Sequence, residues 1–137
     1  MMWQYPEQPA RTLSPLVLAY VGDAVFELYV RTALLNEKSK VHQLHKRAVD
    51  LVKAEAMAGY YQKLAPHLQP DEEAVIRRGR NAKSRSGKSS DAQSYHMSTG
   101  FEALVGYLYL DHQEQRLQQL LAFVLPELQH NEHTNRP

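Results

Sequence analysis

"LAYVGDAVFEL", residues 18–28, is the stretch whose reading decides the fold. Its apolar residues belong to a longer series, Leu16, Val17, Tyr20, Val21, Ala24, Val25 and Leu28, at the i, i+3, i+4 spacing of a helix. The series predicts a helix with a broad buried face, capped by Ser14, opened by Pro15 and running to about Leu35. Two residues sit oddly in it. Gly22 costs about 1 kcal/mol against alanine in a helix interior. The Asp23 carboxylate must reach water, find a cation or lose its charge. A glycine beside an acid in an apolar helix asks for a reason beyond helix formation.

Outward from that segment the punctuation is helical. A second helical region follows Ser39, keeping its period through Val41, Leu44, His45, Ala48, Val49, Leu51 and Val52, with Gly59 or Pro66 as its break. A third starts near Pro70, where Asp71, Glu72 and Glu73 suit the positive end of a helix dipole, and ends at Gly79. Residues 81–91, "NAKSRSGKSSD", are small, polar and cationic and predict a mobile loop. Helix resumes at or before Ser98 and continues through "FEALVGYLYL". Asp111 then caps a last helix, with Glu114 as its capping-box partner; that helix stops at Pro126 and residues 127–137 read as a frayed tail. No strand alternation or hairpin dipeptide interrupts this order. The expectation is an all-α helical bundle, one domain over residues 1–137 with its core at about 14–125.

The chain's 137 residues are enough to bury a core without staples, and with no cysteine there are no disulfides or thiolate metal sites. The longest apolar runs are six residues, against about 20 for a membrane span. The start, MMWQYPEQP, has neither a basic beginning nor an apolar signal core. A soluble, cytoplasmic protein with no membrane partner is expected. Net charge is only +1, but Arg77, Arg78, Arg80, Lys83, Arg85 and Lys88 follow one another with no acid among them. Such a run is either a solvated loop or a phosphate-binding surface.

Candidate chemistry rests on carboxylates. Glu27 lies one turn after Asp23, so the two acids can face one space and share a cation; oxygen-only ligation suits magnesium. Glu27 is equally placed to pair with Arg31 four residues on. Glu102 also has two readings. It completes a capping box opened by Thr99, or it stands at the rim of the core where Asp23 also lies. His42 and His45 are three apart with no further ligand at zinc spacing, and neither a glycine-rich phosphate loop nor a nucleophile elbow is present.

Two segments carry a resemblance. "LAYVGDAVFELYV" is similar to the signature of the ribonuclease III family, and "TGFEALVGYLYLD" is similar to its second acidic motif, in the same order and at the same separation. The short chain and "RRGRNAKS" between the motifs resemble the Mini branch of that family, which has the endonuclease domain without an appended double-stranded-RNA-binding domain. The resemblance covers residues 14–125 or so. It implies the ribonuclease III endonuclease-domain bundle, a homodimer, and magnesium-dependent hydrolysis of double-stranded RNA to 5′-phosphate and 3′-hydroxyl ends. It also implies trimming of both ends of precursor 23S ribosomal RNA.

By position, Asp23 matches the signature aspartate and Glu102 the second-motif glutamate; both are catalytic and metal-associated in the family, with Glu27 a further candidate. Two carboxylates of the full-length enzymes are replaced here, by Ala19 and by Thr99. With fewer fixed ligands, more of a magnesium shell must be water or RNA phosphate. The basic run then has a partner. Arg77, Arg78, Arg80, Asn81, Lys83, Arg85 and Lys88 suit the wide, shallow minor groove of A-form RNA, and binding through phosphates weakens steeply with salt. The replaced carboxylates leave one rival from another class, a catalytically silent RNA-binding subunit of a ribonucleoprotein on the same fold. A helical adaptor without nucleic acid leaves the basic run unexplained.

Overall fold

Ser14 opens the first helix as its chemistry requires: its hydroxyl accepts the Val17 N–H at 3.2 Å, and Pro15 occupies the first helical position. The computed structural model describes residues 5–36, 38–82 and 90–129. Its helices are α1 (Pro15–Ala33), α2 (Val41–Val52), α3 (Ala54–Leu64), α4 (Pro70–Ala82), α5 (Ser90–Leu110) and α6 (Glu114–Val124). Short 3₁₀ turns lie at Ala10–Thr12, Ala65–His67 and Pro126–Leu128. Among the described residues there is no strand, and the all-α expectation holds.

Several boundaries differ from expectation, each for a local reason. The second region is two helices, parted at Lys53, whose backbone is extended (φ −69°, ψ 159°), and Gly59 lies inside α3. α4 continues past Gly79 to Ala82, and α5 starts at Ser90, so Asn81 and Asp91 are helical; the rest of the expected loop, 83–89, lies outside the described residues. Asp111 caps no helix: its carboxylate accepts from the Gln113 side chain at 2.7 Å, and Gln113 precedes α6. Of the expected tail, Leu128 is buried on the core, and residues 130–137 lie outside the described residues.

α5 is the axle of the bundle. From Ser98 to Leu108 every residue except Glu102 is buried, so this helix is enclosed rather than amphipathic. It reaches its neighbours backbone to backbone. A Cβ added at Gly22 of α1 would fall on the Glu102 carbonyl oxygen, and one at Gly106 would fall on that of Leu18. On the other flank, a Cβ at Gly79 of α4 would stand 2.9 Å from the Cα of Gly100. Missing side chains let three helices approach closer than any larger residue allows. Gly22 is in the signature segment for that reason.

The inward face of α1 is not the expected one. Leu18, Ala19, Gly22, Phe26 and Val30 are buried, while Leu16, Val17, Tyr20 and Leu28 are exposed, Tyr20 at 81%. The strip predicted to be buried faces out of the single chain.

Glu72 also departs from its expected role. It does cap α4, accepting the Gln69 N–H at 2.8 Å, but it is fully buried rather than a surface acid. Arg116 of α6 donates to it twice, Nε at 2.8 Å and Nη2 at 2.9 Å, and Nη2 also meets the His67 carbonyl at 2.9 Å. Burial pushes the carboxyl upward, but the hydrogen bonds from Arg116 and Gln69, with the Arg116 charge, outweigh it and hold Glu72 below its ordinary value. A lowered carboxyl stabilises the fold above the unfolded carboxylate range, and that contribution is lost as pH falls through the folded value.

Two tests follow from this packing. Gly22→Ala is expected to cost about 3 kcal/mol or more, since fixed backbone blocks the methyl, whereas Gly59→Ala, with nothing within 4 Å, should gain up to about 1 kcal/mol; thermal melts distinguish them. Glu72→Ala is expected to cost about 3 kcal/mol at neutral pH by leaving Arg116 unpaired. The melting-temperature gap to wild type should narrow below the ordinary carboxylate range, where the native carboxylate protonates.

Candidate active site

The α1–α5 crossing brings the two motif segments together backbone to backbone. Gly22 lies against the Glu102 backbone, so the next residue of α1, Asp23, borders the place where Glu102 leaves α5. Asp23 is exposed and Glu102 half-buried. Beneath them, Phe26, Phe101 and Tyr60 form a triangle of rings: Phe26 meets Phe101 edge-on at 5.1 Å, and Tyr60 stands 5.8 and 5.6 Å from the two. Burial, reinforced by the Glu127 charge, pushes the Tyr60 hydroxyl up to about 12, so it stays protonated and donates to the Leu51 carbonyl at 2.7 Å. Core packing therefore fixes the helices from which both acids project.

The capping reading of Glu102 is overturned. α5 begins twelve residues before it, at Ser90, and Thr99 is a mid-helix residue whose hydroxyl donates back to the Tyr95 carbonyl at 3.0 Å. Thr99 and Ala19 are both buried and supply no acid at the crossing. Glu27 takes its bland reading, paired with Arg31 at 3.3 Å. Among the described residues no group of three or more metal-ligating side chains forms. A cation at Asp23 and Glu102 would take two protein carboxylates and complete its shell with water or phosphate oxygens, which is how magnesium is usually held. The donor set fits that ion.

Arg77, Arg78, Arg80 and Asn81 are exposed on the last turns of α4; Lys83, Arg85 and Lys88 lie outside the described residues. Arg80 is more anchored than a loop residue. Its Cγ stands 2.9 Å from where a Cβ on Gly100 would be, and its guanidinium is 6.0 Å from the centre of the Tyr61 ring. Beside it opens a cleft of about 530 Å³, lined by Arg80, Asn81, Gln93, His96 and Met97. The last three lie outside both motifs and outside the basic run, so they carry no sequence signal. Only the pairing of the α4 end with the α5 start reveals them.

Comparison with known proteins gives a consistent picture. The family profile described as "Ribonuclease III domain" matches residues 16–113. A protein named Mini-ribonuclease 3 from Synechocystis is 41% identical over 132 residues, 92% of this chain and 92% of its own. Those of the same name from Symbiobacterium thermophilum and Clostridium tetani are 50% and 39% identical, covering 80% and 89% of this chain and 86% and 83% of theirs. A crystal structure of a Fusobacterium nucleatum protein superimposes with a TM-score of 0.78 at 26% identity, over 88% of this chain and 98% of that one.

Proposed function

This chain belongs to the ribonuclease III family and is an endoribonuclease, and from that premise we propose that it cleaves double-stranded RNA with magnesium, as a homodimer, in maturation of precursor 23S ribosomal RNA in the cytoplasm. The observation that supports the catalytic part is the α1–α5 crossing, where Gly22, the neighbour of Asp23, packs on the Glu102 backbone. Asp23 and Glu102 would hold the magnesium, which when bound lowers the pKa of water and offsets charge on the phosphate in flight. Asp23, exposed, would meet the incoming phosphodiester, and Glu102 is half-buried at the edge of the core. The cations of α4 and of residues 83–88 would hold the duplex by its phosphates. The ribosomal substrate rests on resemblance to the Mini branch. No helix of the described residues is long and apolar enough to cross a membrane.

The outward strip of α1 supports the dimer. Leu16, Val17, Tyr20 and Leu28 make an apolar surface on one helix, and a twofold partner would bury it against its own copy. Asp23 projects at the edge of this strip, so the interface would border both active sites.

Asp23→Asn and Glu102→Gln keep shape but withdraw a negative ligand. Each is expected to abolish magnesium-dependent cleavage of a perfect RNA duplex while the fold and duplex binding persist. Appreciable turnover by a folded Asp23→Asn protein would remove it from the site. For the dimer, sedimentation should give twice the 15.7 kDa chain mass, and Leu28→Arg should return it to one chain. A wild-type protein that sediments as one chain at micromolar concentration contradicts the dimer.

A further inference from the structure

The cleft between α4 and α5 has a construction that phosphate binding alone does not require. His96 Nδ1 meets the Arg80 carbonyl at 3.1 Å; since a carbonyl only accepts, Nδ1 carries the proton and the ring ties the start of α5 to the end of α4. Arg80 is held from the other side by Gly100 and the Tyr61 ring. The walls are therefore fixed by packing and hydrogen bonding, while the cleft itself is open to solvent. It presents one guanidinium, two side-chain amides and one thioether, from Arg80, Asn81, Gln93 and Met97.

We infer that this cleft is where the protein recognises a ribose 2′-hydroxyl, and so distinguishes an RNA duplex from a DNA duplex. This rests on the reading of duplex RNA as the substrate. A hydroxyl both donates and accepts, and so does an amide; Asn81 and Gln93 match it in either orientation. Arg80 suits the phosphate next to that ribose, and Met97 gives the apolar face of the sugar a surface to rest on. An open cleft also fits the edge of a wide, shallow groove, where A-form RNA displays its 2′-hydroxyls. Residues 96 and 102 are separated by about 9 Å of helical rise and turned to different flanks of α5, so cleft and carboxylates address different nucleotides of one duplex.

The test compares wild type, Gln93→Ala and the double variant Asn81→Ala/Gln93→Ala on an RNA duplex and on the same duplex with both strands 2′-deoxy. Both positions are exposed, and melting curves check that the fold is kept. Affinity for the RNA duplex is expected to fall roughly three- to tenfold for Gln93→Ala, the range for one lost hydrogen bond, and roughly ten- to a hundredfold for the double variant. Affinity for the deoxy-substituted duplex should stay put, so that the preference for RNA collapses. An unchanged preference, or an equal loss on both duplexes, overturns the inference. Failure of wild type to bind duplex RNA at all is a different result: it overturns the substrate reading itself, and this inference with it.

Discussion

The structure depends on two helices meeting without side chains between them. Gly22 and Gly106 let the backbones of α1 and α5 touch, and each glycine sits against a carbonyl of the other helix. Such a contact brings the segments carrying Asp23 and Glu102, 79 positions apart in sequence, to one helix crossing. A larger residue at either point would push the helices apart and separate the acids as well as loosen the core. Packing and chemistry are one constraint here.

The charge layout of α4 follows its helix dipole and its neighbours. Along α4, acids come first at Asp71, Glu72 and Glu73, and cations last at Arg77, Arg78 and Arg80, the order that a helix dipole favours at each end. The same order leaves the acid-bearing end beside α6, where Glu72 meets Arg116, and delivers the arginine-bearing end next to the start of α5. Tyr107 adds to the arrangement by donating to Asp71 at 3.2 Å. Glu72 alone is thus absorbed into the bundle, while Asp71, Glu73 and the three arginines stay exposed.

Sequence periodicity located the helices well and oriented α1 badly. Both of its flanks are apolar: Leu18, Phe26 and Val30 on one, Leu16, Tyr20 and Leu28 on the other. Periodicity measures hydrophobicity without saying which neighbour receives it, so the flank that faces out could not be told from the one that packs. Asp23 and Glu102 are singled out by the resemblance of their segments to the family motifs, and the structure packs those segments together at Gly22. The capping reading of Glu102 failed because Thr-x-x-Glu is indifferent to helix already present upstream. Glu72 looked like its acidic neighbours, since its partner Arg116 lies 44 residues away. The cleft residues Gln93, His96 and Met97 were invisible for the same reason: only tertiary contact gives them a common purpose.

The enclosure of α5 has a dynamic consequence. A segment surrounded on all sides cannot fray or open alone, because exposing its amides means separating α1, α3 and α4 as well. Hydrogen exchange along residues 98–108 is therefore expected to proceed only through global unfolding of the domain. Glu102 lies within that enclosed segment, so its backbone is held for as long as the domain remains folded.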